Sequence, residues 1–261
     1  MKRTLIQPNL TDFPTPLQHL LKNCAVYDSS CSPEARVWFI DRDGGYYLKA
    51  ADKGSLAREA EMNRYFHNRG LTAAVLDYRS EARDWLLTAR VVGEDCTHSM
   101  YLADPVRLCD LLATKLRELH EMPCADCPVE DRTAEYLATV KRNHAAGIFD
   151  PSFLPENLRK MTADEAYAFV RERRHLLQRD CLLHGDYCLP NILLDNWRFS
   201  GFIDLGNGGV GDRHVDLFWG VWTLAFNLKT PRYGSLFLDA YGRDKVNDDL
   251  LAVIAAAECF G

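Results

Sequence analysis

The sequence predicts an α+β chain in two parts, a small antiparallel-sheet lobe over residues 1–91 and a larger helical lobe over 92–261. Three observations predict it. Arg42-Asp43-Gly44-Gly45 separates two runs of strand-forming residues, Arg36–Asp41 and Tyr46–Ala50, which is a strong hairpin signal. Beyond Asp104-Pro105, the residues Leu108, Leu111, Leu112, Leu116 and Leu119 keep the spacing of one helix face. Near the end, Phe218–Phe226 and Leu250–Ala257 are apolar runs far shorter than the ~18 residues a membrane span needs, and each reads as a buried helix.

In chain order, Met1-Lys2-Arg3 is basic, but Gln7, Pro8 and Asn9 break any apolar segment behind it, so no targeting signal is read. After the hairpin comes a helix from about Ser55 to Asn68, stopped by Gly70. Ala74–Tyr78 and Trp85–Thr88 read as two further strands, and the chain leaves the sheet through Ala89–Gly93. Asp104 can cap, and Pro105 can open, the first long helix. Pro151–Pro155 marks a loop, and Thr162-Ala163-Asp164-Glu165 is a capping box opening a helix toward Arg174. No repeat or low-complexity tract interrupts this order.

Composition narrows the function classes. The chain has 261 residues, 47% hydrophobic and 26% charged, which fits a soluble protein of one large or two small domains. A net charge of −6 argues against nucleic acid as a partner and is compatible with a cationic ligand. The nine cysteines are odd in number and scattered, so a reducing, cytoplasmic compartment fits better than a secreted disulfide framework. Cys124-Ala125-Asp126-Cys127 is a lone CxxC with no second pair at metal-site spacing, and it reads as a loop. The expected molecule is a monomer or weak dimer with a small-molecule substrate and no membrane partner.

The chemistry concentrates in His184-Gly185-Asp186-Tyr187-Cys188-Leu189-Pro190-Asn191, followed by Gly201-Phe202-Ile203-Asp204-Leu205-Gly206. The run Ile192-Leu193-Leu194, a turn at Asp195–Arg198 and a return strand over Phe199–Ile203 form a hairpin. A hairpin brings the entrance of its first strand beside the exit of its second. Asn191 and Asp204 are therefore expected side by side, as two ligands of one magnesium ion. Asp186, on the loop just before, is the candidate to orient and deprotonate a hydroxyl. This order of polar groups is what phosphoryl transfer from a nucleotide needs. Lys49, on the return strand of the first hairpin, and Glu59, on the following helix, suit an ammonium–carboxylate pair that positions phosphates, with Glu61 as the rival carboxylate. Tyr47 shares a strand face with Lys49 and can stack on adenine. Ser29-Ser30-Cys31-Ser32-Pro33 can cover phosphates, and backbone groups of Ala89 and Val91 can read the adenine edge.

These residues carry a resemblance. HGDYCLPN (184–191), SGFIDLG (200–206), DRHVDL (212–217), the YYLK segment ending at Lys49, the REAE segment with Glu59, and LRELHEMP (116–123) are similar to the aminoglycoside phosphotransferases, most closely the 3′-phosphotransferases of kanamycin and neomycin resistance. The resemblance implies a protein-kinase-like two-lobed fold whose second lobe carries a helical substrate-binding insertion. It implies Asp186 as catalytic base, Asn191 and Asp204 on magnesium, Lys49 with Glu59 on ATP, Ser32 in the nucleotide loop and Tyr47 against the adenine. Asp216 is implied to brace the catalytic loop. Glu156, Asn157 and Glu258 are implied to bind a cationic aminoglycoside together with Asp186. ATP is the expected donor, with GTP as the alternative. The sequence departs from the family pattern at Asn207, where arginine is usual, and at Trp222 and Phe226, which suggest a more aromatic cleft. The rival readings are a kinase of another hydroxylated small molecule, such as a different antibiotic, an amino sugar or a metabolite, and a nucleotide-binding module without turnover.

Overall fold

The computed structural model describes residues 3–261. In chain order its first elements are β1 (Thr4–Ile6), β2 (Ala25–Asp28), β3 (Ala35–Asp41), β4 (Tyr46–Ala51), α1 (Ala57–His67), β5 (Val75–Ser80), β6 (Asp84–Ala89) and β7 (Glu94–Asp95). There follow α2 (Ser99–Leu102), α3 (Pro105–His120), α4 (Arg132–Ala145), α5 (Ala163–Arg173), β8 (Cys181–Leu183), β9 (Ile192–Asp195), β10 (Arg198–Phe202) and β11 (Gly209–Gly211). The helices α6 (His214–Leu228), α7 (Tyr233–Gly242) and α8 (Asp248–Glu258) complete the chain.

The chain divides into two compact units, residues 1–95 with 190–206, and residues 96–189 with 207–261. The expected division at residue 91 was continuous in sequence; the units are not. The hairpin β9–β10 joins the first unit because β9 pairs with β7, and because Phe202 N donates to Leu71 O at 2.8 Å.

The first unit is built on an antiparallel sheet of order β1-β2-β3-β4-β6-β5. Strand alternation sends Leu48 and Ala50 to one face and Tyr47, Lys49 and Ala51 to the other. The first face packs Trp38, Ile40, Leu48, Trp85 and Leu87 under Phe13, Leu17 and Leu21 of the segment before β2. The second packs Leu86 and Ala51 against Leu56 and Ala60 at the start of α1. The β3–β4 turn closes through Gly45 N to Arg42 O at 2.8 Å, with Asp43 and Gly44 at positive φ. The β9–β10 turn holds Asn196 and Trp197 at φ of 48° and 65°, the conformation that matches the twist of a two-residue hairpin loop. The strands β1 and β2 are additions to the sequence expectation.

In the second unit, α3 packs on α7, α5 on α8, and α6 on both α7 and α8. Its core includes Val140, Val170, Phe218, Val253, Ile254 and Phe260. Asp104 caps α3 by accepting from Arg107 N at 3.2 Å, as its position before Pro105 suggests. The capping box of α5 is complete: Thr162 Oγ1 accepts from Glu165 N, and Glu165 accepts from Thr162 N. The segment after Asp150, expected as a loop, makes one tight helical turn over Pro151–Phe153. All nine cysteines are free thiols, and burial pushes Cys109 up to about 11 and Cys259 up to about 12. Among the described residues no helix is long and apolar enough to cross a membrane.

Candidate active site

Two cavities, one inside each unit, hold all of the candidate residues except Glu156 and Asn157. The cavity of the first unit measures about 270 Å³ and is lined by Ser32, Tyr47, Lys49, Glu59, Ala89, Val91, Asn191 and Asp204 among others. Strand register explains the gathering. Lys49 stands opposite Val37 on β3 and Leu86 on β6, in the centre of the sheet. Its ammonium lies 2.7 Å from Glu59 Oε2 and 3.0 Å from Asp204 Oδ1. Burial on its own would lower the Lys49 pKa, but the two carboxylates outweigh it and hold the ammonium above its ordinary value. Burial likewise dominates at Glu59 and pushes that carboxyl up, against the opposing pull of Lys49. Glu59 is buried in the first turn of α1, whereas Glu61 is exposed, so the helix presents only Glu59 to the lysine.

The hairpin ends meet as its geometry requires. Ile203 N donates to Asn191 O at 3.0 Å, which holds the residues flanking β9 and β10 together. Asp204 sits at φ of 59°, a left-handed conformation that Asp tolerates better than most residues, and its side chain is 51% exposed. One carboxylate and one amide oxygen thus face the same cavity. That donor set fits a hard cation that takes its remaining ligands from water and phosphate oxygens. Among the described residues no cluster of three or more His, Cys, Asp or Glu side chains is arranged to hold a metal.

The remaining wall is polar at the serine turn and aromatic at Tyr47. Val37 N donates to Ser30 Oγ at 3.0 Å and Ser30 N to Asp28 Oδ1 at 2.9 Å, which folds the turn so that Ser29, Cys31 and Ser32 line the cavity. Tyr47 packs on Phe39, with ring centroids 5.2 Å apart, and its hydroxyl accepts from Arg3 at 2.7 Å. The Ala89 amide is already engaged with Ala74 O at 2.9 Å, so its carbonyl is the polar group that can serve a ligand.

The cavity of the second unit measures about 380 Å³ and is lined by Asp186, Glu258, Arg132, Tyr136, Asn207 and Trp219 among others. Asp186 rides on a tightly braced loop. The buried Asp216 carboxylate accepts from His184 N and Gly185 N, both at 2.8 Å, and lies 3.2 Å from His120 Nε2. Tyr187 donates to Leu112 O at 2.8 Å, and Leu189 N to Thr223 Oγ1 at 3.1 Å. Gly185 has φ of 83°, and a Cβ there would lie 1.9 Å from Asn207 O, so this position admits only glycine. Glu258 accepts from Tyr136 Oη at 2.9 Å and from Trp219 Nε1 at 3.1 Å. Its burial pushes the carboxyl up to about 7; those two hydrogen bonds oppose the shift.

Two expectations differ from this arrangement, and two lining residues were not expected. Glu156 and Asn157 are exposed on the turn after Pro155 and do not line the cavity with Asp186 and Glu258. Leu154 is the residue of that segment anchored in the core, and Glu156 and Asn157 beyond it face water. Trp222 and Phe226 stack on each other at 5.0 Å and also lie outside the lining; Trp219, one turn earlier on α6, takes that place. Arg132 and Tyr136, on α4, were missed because no motif marks them.

Comparisons with known proteins complete the description. The profile of the phosphotransferase enzyme family matches residues 29–252. A probable aminoglycoside 3′-phosphotransferase of Lactococcus lactis is 48% identical over 254 residues, which is 97% of this chain and 97% of that protein. Among solved structures, an aminoglycoside-3′-phosphotransferase of type VIII aligns with a TM-score of 0.80 at 26% identity, covering 97% of this chain and 99% of that one. An aminoglycoside phosphotransferase of Streptomyces rimosus, solved in complex with ADP and streptomycin, aligns with a TM-score of 0.68 at 25% identity over 90% of each chain.

Proposed function

The chain belongs to the phosphotransferase enzyme family, and from that premise we propose that it transfers the γ-phosphoryl group of ATP to a hydroxyl of an aminoglycoside, foremost the 3′-hydroxyl. The observation that carries the reading is the Lys49 ammonium held against Glu59 and Asp204 in the cavity that Asn191 also lines. Lysine at that point binds the α- and β-phosphates, and Glu59 keeps it there. Tyr47 stacks on the adenine, the serine turn with Ser32 covers the phosphates, and the Ala89 carbonyl and Val91 backbone meet the adenine edge. Asp204 and Asn191 hold magnesium, which, when bound, neutralises charge on the phosphate oxygens. The Asp186 carboxylate receives the proton of the attacking hydroxyl. A bond forms between that oxygen and the γ-phosphorus while the bond to the ADP oxygen breaks. Most of the rate comes from positioning and charge neutralisation, with little covalent work by the protein.

Three relatives support the acceptor class, since each is named as acting on, or solved with, an aminoglycoside. The buried Glu258 supports it independently, because a carboxylate beside Asp186 attracts and orients an ammonium group. The test is a coupled assay of ADP release with kanamycin, neomycin and ribostamycin, beside uncharged sugar alcohols, together with thermal shifts. Turnover with the aminoglycosides is expected. Turnover only with uncharged alcohols would favour a kinase of another small molecule, and a nucleotide shift without any turnover would favour a binding module.

A further inference from the structure

We propose that Arg132 is a specificity-determining residue of the acceptor cavity: it disfavours an ammonium, and favours a hydroxyl, on the carbon next to the acceptor hydroxyl. The inference rests on the functional reading above.

Arg132 is the first residue of α4, after the cap residue Asp131. Its Nε donates to Asn207 O at 2.9 Å and its Nη2 to Asn207 Oδ1 at 3.1 Å, while Nη1 lies 3.5 Å from Glu135 Oε2. Its side chain is only 16% exposed. The planar fork is therefore fixed, and the group stays charged at every working pH. Asn207 is the link to the chemistry. Its carbonyl packs directly on Gly185, the residue before Asp186, and the same carbonyl is clamped by Arg132. A permanent cation thus stands in the wall of the cavity that holds Asp186 and Glu258.

That placement matters for a polycationic acceptor. The two carboxyl groups draw ammonium groups in without choosing among them. Arg132 supplies the repulsive element that makes a choice. A guanidinium carries only donors, and an ammonium carries only donors, so the two cannot share a hydrogen bond; a hydroxyl can accept one. Because Arg132 is one packed residue away from the Asp186 loop, the discriminated substituent lies beside the acceptor hydroxyl.

Kanamycin A and kanamycin B test this, since they carry a hydroxyl and an amine, respectively, on the carbon next to the 3′-hydroxyl. In Arg132→Gln, the ratio of kcat/KM for kanamycin A over kanamycin B should fall about tenfold from the wild-type value, equivalent to ~1.4 kcal/mol. Arg132→Lys keeps the cation and should keep most of the ratio. The KM for ATP should stay unchanged in both. A purely structural role would lower both substrates together and leave the ratio untouched, which overturns the proposal. A second measurement needs no variant. As pH rises from about 6 to 9 the kanamycin B amine loses its proton and becomes an acceptor, so the wild-type ratio should fall. Glu258 and Asp186 also face this space. Glu258 ionises in this range and itself favours the ammonium of kanamycin B as it does, so the ratio is read in Glu258→Gln as well, where the fall should persist. A flat ratio overturns the proposal. A wild type that phosphorylates neither kanamycin overturns the functional reading, and this inference with it.

Discussion

Lys49 answers to two carboxylates, 2.7 Å and 3.0 Å away, and removing it exposes what it does. Lys49→Ala should raise the KM for ATP at least about tenfold while changing the acceptor KM little, since the ammonium holds phosphates in ground and transition states alike. It should also lower the melting temperature, because Glu59 is left buried without its cation. Steady-state kinetics and a thermal melt check both, and a KM for ATP within twofold of wild type would contradict the role. Glu258 titrates in the working range. Its carboxyl is raised to about 7 by burial, above the value it has in the unfolded chain. The favourable contribution of the protonated form is complete below the unfolded value and is lost as pH rises through about 7. Glu258→Gln should therefore stabilise the protein relative to wild type increasingly from pH 5 to 8, by up to roughly 3 kcal/mol. Over the same window, binding of a polycation to wild type should tighten as Glu258 ionises, and the variant should lose that rise. Calorimetric titrations across this pH range decide the point. The proximity of Asn191 to Asp204 was readable because a hairpin fixes it locally, and that of Lys49 to Glu59 because the kinase-like pattern of motifs pairs a strand lysine with a helix carboxylate. Arg132 was not readable, since it meets Asn207 across 75 residues of sequence. Nor does sequence distinguish Glu156, facing water, from Glu258, facing a cavity; only packing does.

At the scale of elements, caps and braces carry separable effects. Thr162→Ala breaks the capping box of α5 and should cost about 1 kcal/mol of stability with no change in the KM for ATP, read by urea denaturation. Loss of ATP affinity in that variant would mean that α5 reaches further than its packing on α8 suggests. Asp216, in the first turn of α6, holds two backbone amides of the loop bearing Asp186. Asp216→Ala leaves those buried donors unsatisfied, at about 1–3 kcal/mol each. It should lower both stability and kcat, and nucleotide affinity should survive. Such caps were legible because their signals lie within four residues of one another. The helix α4 was not foreseen, and it fully buries only Tyr136 and Val140. The strand β1 spans three residues, too few for alternation to register, and only its pairing with β2 defines it.

For the molecule as a whole, the candidate nucleotide residues fall within one unit and Asp186 within the other. The sequence order had assigned the hairpin of Asn191 and Asp204 to the second part, because chain order cannot show that β9 returns to pair with β7. This division predicts that lesions separate. Asp186→Asn should remove turnover, by about 10²–10⁴-fold from the lost base alone and more from lost positioning, while leaving ATP binding nearly intact. The central claim is that this chain moves a phosphoryl group from ATP to an aminoglycoside hydroxyl. The most direct measurement is product analysis: incubate the protein with γ-labelled ATP, magnesium and kanamycin, then follow the label by mass spectrometry and phosphorus NMR. The account predicts one phosphoryl group on the 3′-oxygen of the antibiotic with wild type and none with Asp186→Asn. Label that stays on ATP or appears only as free phosphate, in protein that binds the nucleotide normally, would contradict it.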